Sequence, residues 1–208
     1  MLHRRILSRK TFVLTLGLTA FVAVGLNFNI WASGAQKTSG IKERVIEKLY
    51  LDDSPVVVAD LKVSGKIVKF GDKFDEDKDW LRHLSIKVKN NFSKPITFVQ
   101  LDLDFPETKA TGNIMAFPIW FGRNPRARVL FGEPKTLVPQ ETADIALSED
   151  DYIKLTTFLE QRHPIESISK VSIRITEVVF EDGLIWLNGS WVRPDPSNPN
   201  KFIPADNP

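Results

Sequence analysis

The chain has 208 residues, 28 basic and 26 acidic, and no cysteine. Disulfides, thiolate metal ligands and lipid attachment at a leader cysteine are thereby excluded. Four of the basic residues and none of the acidic ones fall in the first 35 positions, which leaves 24 minus 26, or −2, for the remainder. That balance argues against nucleic-acid binding, which needs a concentrated basic surface.

Arg4, Arg5, Arg9 and Lys10 precede a charge-free run from Thr11 to Gln36. A basic start, an apolar stretch from Phe12 to Leu26 and small residues at Ala32, Ser33, Gly34 and Ala35 form the pattern of a secretory signal peptide over residues 1–35. The apolar block is short for a spanning helix, and Asn27 and Asn29 are costly where its last turn would lie. Cleavage after Gly34 or Ala35 is therefore expected, and residues 11–31 would serve as a membrane anchor only if left uncleaved. Either outcome implies an extracytoplasmic body, periplasmic or secreted, that meets the membrane only through this segment.

Residues 36–54 read as a linker, in which Ile41, Val45 and Leu49 recur at helical spacing and predict a short amphipathic helix. A β-rich domain is expected over 55–193. Val56 to Phe70, with Gly65 inside, predicts one long bent strand. Leu84, Ile86 and Val88 alternate with polar residues, as do Val99, Leu101, Leu103 and Phe105, which predicts two half-buried strands paired antiparallel across the turn at 90–95. Two short strands are expected in 112–132, and another at Thr142 to Leu147.

Ser148 is placed to cap a helix that starts with Glu149, Asp150 and Asp151 and turns Ile153, Leu155, Phe158 and Leu159 inward. Val171 to Phe180 and Leu184 to Val192 then flank Asp182-Gly183, the pattern of a hairpin with a type I′ turn. With a two-residue turn Val179 faces Trp186, which should be buried, and Arg174 faces Trp191, which should lie under the guanidinium on an outer face. Residues 194–208, with four prolines before the last one, predict an irregular tail that does not pair as a strand. The sum is a mainly β chain: an immunoglobulin-like antiparallel β-sandwich of about seven strands with one helix in a late connection.

Three segments carry a resemblance. Phe180-Glu-Asp-Gly-Leu-Ile-Trp186 followed by Arg193-Pro-Asp-Pro196, the hairpin Val88-Lys-Asn-Asn-Phe-Ser-Lys-Pro-Ile96, and the turn Leu137-Val-Pro-Gln-Glu141 resemble segments of uncharacterised exported bacterial proteins with an immunoglobulin-like β-sandwich. Gln140 stands where glycine is usual in that turn. The resemblance spans roughly residues 55 to 204 and implies a fold, with no reaction or catalytic residue attached.

Chemistry-bearing motifs are few. Asp75, Asp77 and Asp79 have the spacing of the first calcium-loop ligands, yet Trp80 stands where the loop requires glycine and Ile86 where it requires a bidentate glutamate. A solvated acidic loop is the simpler expectation, and no metal or other cofactor is assigned. Nucleophile elbows and phosphate-binding glycine loops are missing from the sequence. Asp102, Asp104, Glu107, Glu177 and Glu181 are the carboxylates from which a carbohydrate-active site could be built.

Trp120, Arg126, Arg128, Arg174 and Trp191 are the candidate contacts for a partner. The expectation is a non-catalytic binding or scaffolding module of the bacterial cell envelope, with an unknown envelope protein or glycan as partner; an envelope enzyme using surface carboxylates is the alternative. Intact-mass measurement of the exported product tests the leader: a soluble chain starting near Ala35 or Gln36 is expected, whereas full-length chain recovered only with membranes would make the leader an anchor.

Overall fold

The computed structural model describes residues 40–124 and 133–206. The leader and the stretch from 125 to 132 lie outside the described residues. In chain order the strands are β1 (Lys42–Lys48), β2 (Val56–Val63), β3 (Lys66–Val68), β4 (Lys73–Glu76), β5 (Leu84–Asn90), β6 (Ile96–Phe105), β7 (Met115–Gly122), β8 (Thr142–Ala146), β9 (Lys170–Phe180), β10 (Ile185–Leu187), β11 (Ser190–Asp195) and β12 (Asn198–Pro204). One helix, α1 (Glu149–Glu160), falls between β8 and β9. The described residues are therefore mainly β with two sheets and a single late helix, as expected, but they hold twelve strands where about seven were predicted.

β9 organises the large sheet. Val171, Ile173, Ile175, Val178 and Phe180 are buried in the main core, and the β-branched majority among them suits an extended backbone. Antiparallel β6 covers one edge of β9 from Ser172 to Phe180. The other edge is divided: β1 runs parallel to residues 170–173, and β10 runs antiparallel to residues 177–179. β4 extends the β1 branch, β11 and β12 extend the β10 branch, and β7 lies outside β6. The small sheet has the order β3-β2-β5-β8, and one apolar cluster draws Val56, Leu61, Ile86, Val88 and Ile145 from it to meet the large sheet's inward residues.

The predicted helix at residues 41–49 is instead β1. Its inward positions are Arg44 and Ile46, both fully buried, while Ile41 and Leu49 are exposed. A charged residue at an inward position hides the period-two pattern, and the three aliphatic residues at helical spacing take its place to the eye. The Arg44 guanidinium is accommodated because it donates to the carbonyls of Ile168 and of Asp77, the latter at 3.0 Å, and lies 6.0 Å from the Trp80 ring centre. Burial pushes its pKa down, while Asp77 and Glu107 pull the other way.

Four further corrections concern turns and pairing. Ser64 and Gly65 both have positive φ, 51° and 77°, so the long strand predicted over 56–70 is the hairpin β2–β3 with a two-residue loop. β5 and β6 belong to different sheets rather than forming a hairpin. The link between them is held by buried Asn90, whose side-chain amide donates to the carbonyls of Lys94 (2.8 Å) and Leu137 (2.9 Å) and whose side-chain oxygen accepts from the Phe92 N–H (2.9 Å). Those bonds turn the chain out of one sheet before a ladder to β6 can start.

The loop after β9 has three residues. Gly183, φ 78°, has the positive φ, and its N–H donates to the Phe180 carbonyl at 3.0 Å, while the Phe180 N–H donates to the Leu184 carbonyl at 2.9 Å. A type I turn closed by a left-handed glycine adds one residue to the loop. The register moves by one: Trp186 faces Val178 and Trp191, and Val179 faces Ile185. The two-residue hairpin loop lies further on, at Asn188 (φ 49°) and Gly189 (φ 90°), which split the predicted strand 184–192 into β10 and β11.

The tail enters the sheet, Pro194 and Asp195 ending β11 and Asn198–Pro204 forming β12, against the expectation of an irregular segment. The Ala205 N–H donates to the Trp191 carbonyl, so alternation along an antiparallel ladder turns the backbone groups of Pro204 away from β11. An edge strand tolerates proline at such positions.

α1 starts as expected, with the Ser148 hydroxyl accepting from the Asp151 N–H at 3.1 Å. Its inward residues are Tyr152, Leu155 and Leu159, with Ile153 52% exposed, so the inward stripe starts one residue before the one predicted. In the predicted region 112–132 one strand, β7, is described, and residues 125–132 of that region lie outside the described residues.

Gln140 sits at φ 68°, the conformation glycine would supply in the turn before β8. A left-handed non-glycine residue costs about 1–2 kcal/mol, and glycine's greater freedom in the unfolded chain returns part of that. Gln140→Gly should therefore stabilise the fold by about 0.5–1 kcal/mol. A denaturant midpoint that stays put or falls would show that the turn carries no such strain.

Candidate functional site

The two faces of β6 separate core from site. Val99, Leu101, Leu103 and Phe105 point into the core. Gln100, Asp102 and Asp104 alternate with them and line the outer face of the large sheet. Strand register then arranges three rows on this face: Trp120, Gln100, Glu177 and Leu187; Pro118, Asp102 and Arg174; and Ala116, Asp104, Ser172 and Glu47.

Arg174 closes the middle of the face. Its Nε donates to Asp104 Oδ2 at 3.0 Å, and its Nη2 donates to Asp104 Oδ1 at 3.0 Å and to Asp102 Oδ2 at 3.3 Å. Gln100 Nε2 donates to the other oxygen of Asp102 at 3.0 Å. The forked pairing with Asp104 uses two guanidinium donors at once, the strong form of this contact. Asp102 and Asp104 are well shielded while the Arg174 side chain is 38% exposed, so the cluster presents a cation's edge above two carboxylates that share it.

Beside this cluster lies an apolar patch. Phe98, Val179 and Ile185 are buried on the outer face, and Trp120, Leu187 and Val192 pack around them as partly buried side chains. Trp120, partly buried, lies next to Gln100 and in the same row as Glu177. Such a mixture of an aromatic face with in-plane hydrogen-bonding groups can stack on a ring and bond its edge at the same time.

Of the predicted contacts, Trp120 and Arg174 share this face. Trp191 does not: the shifted register turns it toward the core rim, where its ring packs 5.2 Å from Phe92 and 5.7 Å from Phe180 instead of under Arg174. Arg126 and Arg128 lie outside the described residues. Trp186 is buried, as expected.

The acidic loop is occupied by local bonds. Asp75 lies in β4 opposite Glu43, Asp77 Oδ1 accepts from the Asp79 N–H at 2.8 Å, and Asp79 Oδ1 accepts from the Tyr152 hydroxyl at 2.9 Å. Burial, with that bond to Asp79, pushes the Tyr152 pKa well above the ordinary phenol range. Glu107 is likewise taken up, its Oε1 accepting from the Ser169 N–H (3.0 Å) and hydroxyl (2.8 Å). Among the described residues no group of three or more His, Cys, Asp or Glu side chains is placed to hold a metal ion.

Two features escaped the sequence reading. Gln100 is one polar residue among several on β6, and only the register of β7 and β9 puts it between an indole and a carboxylate. The second is the end of the β9–β10 hairpin, where Lys94 Nζ contacts Asp182 at 2.8 Å and Arg193 contacts it at 3.7 Å. The Lys94 hydrogen bond is the main cause that holds the Asp182 carboxyl below its usual range.

Comparison of the chain with known protein families, curated proteins and solved structures found no match. Among the described residues no helix is long and apolar enough to cross a membrane. Function must therefore be read from the face itself.

Removing Arg174 leaves two carboxylates side by side without their cation. Arg174→Leu should destabilise the fold by about 1–3 kcal/mol, the cost of stranding shielded charged acceptors. Adding Asp104→Asn should restore part of that loss, because paired groups are not additive. Urea titrations of the two single variants and the double variant give the coupling; strict additivity would mean that the cluster is electrostatically idle.

Proposed function

We propose that the chain is an exported, non-catalytic binding module of the bacterial cell envelope that uses the outer face of its large sheet to hold a glycan. The observation that carries this reading is the layout of that face: a partly buried Trp120 in line with Gln100 and Glu177, beside a closed Arg174–Asp102–Asp104 cluster. A stacking ring flanked by fixed donors and acceptors suits a sugar. The envelope location rests on the basic and apolar leader, and an immunoglobulin-like β-sandwich is part of the same proposal, supported by two mainly antiparallel sheets around one core.

The alternative of a carbohydrate-active enzyme draws less support. Asp102 and Asp104, two carboxylates of this face, are both committed to one guanidinium, whereas a glycosidase needs one protonated and one free carboxyl flanking the bond to be cut.

Titration of the protein with envelope glycan fragments, followed by tryptophan fluorescence, tests the reading. Trp120→Ala should cost at least about 2 kcal/mol of binding, the scale of an aromatic anchor, and should leave the circular dichroism spectrum intact. Binding unchanged in that variant would remove the face from consideration. Turnover of a glycan by the purified protein, lost on substitution of Asp102 or Asp104, would favour the enzyme.

A further inference from the structure

The large sheet has a gap beside the proposed face. β1 pairs with Lys170–Ile173 and β10 with Glu177–Val179, so Arg174, Ile175 and Thr176 have no ladder partner on that edge. The β1 chain leaves after the bond from Leu49 N–H to the Ile173 carbonyl, and the β10 chain after the bond from Asn188 N–H to the Thr176 carbonyl. Between them is a notch of about 240 Å³, lined by Leu49, Tyr50, Leu51, Arg174, Ile175, Trp186 and Asn188; the Tyr50 hydroxyl already accepts from the Val58 N–H at 3.2 Å. Arg174 belongs to the outer face and Trp186 to the core cluster, so the notch leads from one toward the other.

Its lining has a definite chemistry. Trp186 is 1% exposed, and its indole N–H has no acceptor among the described residues. An unpaired buried donor is costly, so an acceptor delivered to it binds with advantage. Leu49 and Leu51, 54% and 53% exposed, form an aliphatic rim. An anionic ligand is disfavoured, since Asp102 and Asp104 already share the Arg174 guanidinium, and Lys48, 4.7 Å from the Tyr50 ring centre, is paired with Asp52. A bare hydroxyl would satisfy the indole but leave the leucines uncovered. A small amide with a methyl group answers both.

We propose that this notch takes the acetamido group of an N-acetylated amino sugar. Leu49 and Leu51 part to admit it, the acetamido oxygen accepts from Trp186 Nε1–H, and the methyl packs between the two leucines. The sugar ring and its neighbours lie on the outer face toward Trp120, three strand spacings or roughly 14 Å from β10, the span of a short oligosaccharide. The proposal rests on the glycan reading of that face and names the ligand class.

The test is a titration of the whole chain with chitotriose and with cellotriose, which differ in the acetamido group, monitored by the indole N–H signals in nitrogen-15 spectra. Chitotriose should shift the Trp186 signal downfield and bind about tenfold more tightly than cellotriose, the value of one recovered hydrogen bond. Trp186→Phe keeps a ring in the core and removes the donor, so it should erase that preference. If this variant unfolds, the wild-type Trp186 signal still decides.

Chitotriose binding that moves Trp120 but leaves Trp186 untouched, or equal binding of both sugars, would overturn the notch while leaving the face as a glycan site. No binding of either sugar would also overturn it, and the fluorescence titration with envelope fragments then separately judges the face.

Discussion

The fold depends on how the two edges of β9 are shared. β6 takes one edge from Ser172 to Phe180, and the other is split between a parallel partner, β1, and an antiparallel one, β10. Partners of opposite direction cannot form one continuous strand, so the sheet must fork where they meet. One branch runs to β4 and the other through β11 to β12. The notch at Arg174–Thr176 is the geometrical consequence, and it is the one place where the described ladder on β9 is interrupted on that side.

Arg44 holds the β1 branch at the entrance to β9. Its guanidinium joins the Ile168 carbonyl, just before β9, to the Asp77 carbonyl, just after β4. The Trp80 indole N–H also reaches the Ile168 carbonyl, at 3.3 Å. A charge taken out of water is tolerated only when its donors find acceptors, and here backbone carbonyls supply them. Asn90 does the equivalent work at the other crossing, between the sheets. Arg44 bonds to backbone carbonyls of segments remote in sequence, and Asn90 ties the remote Leu137 carbonyl to its own turn at Phe92 and Lys94, which makes both joints rather than filler.

The outer face inherits its layout from the same register. A bulge in β6 between Ile96 and Phe98, and one in β9 at Thr176 opposite the Gln100–Leu101 step, decide which residues end on the wet side. Arg174 then meets Asp102 and Asp104, and Trp120 meets Gln100. An ion cluster and an indole on neighbouring rows make a surface with one rigid polar patch and one aromatic patch. That division underlies both the binding reading and the chemistry of the adjoining notch.

Local rules carried much of the fold. Alternation located β5 and β6, Ser148 and its acidic followers located the start of α1, and β-branched runs located β9, because each of these signals acts over a few residues and needs no distant partner. Asn188-Gly189 was equally legible as a hairpin loop; the apolar and aromatic residues around it masked the signal. The sequence by itself therefore determined a mainly β chain, its late helix and the residues that could face outward. Only the tertiary structure decided that β5 and β6 part company, that β1 is a strand, that Trp191 turns to the core rim and that Arg174 joins Asp102 and Asp104. The physical reason is common to all four: strand register and sheet membership are set by partners far along the chain, and a one-residue change in a loop or a single buried charge such as Arg44 moves side chains from one face to the other without altering the local pattern.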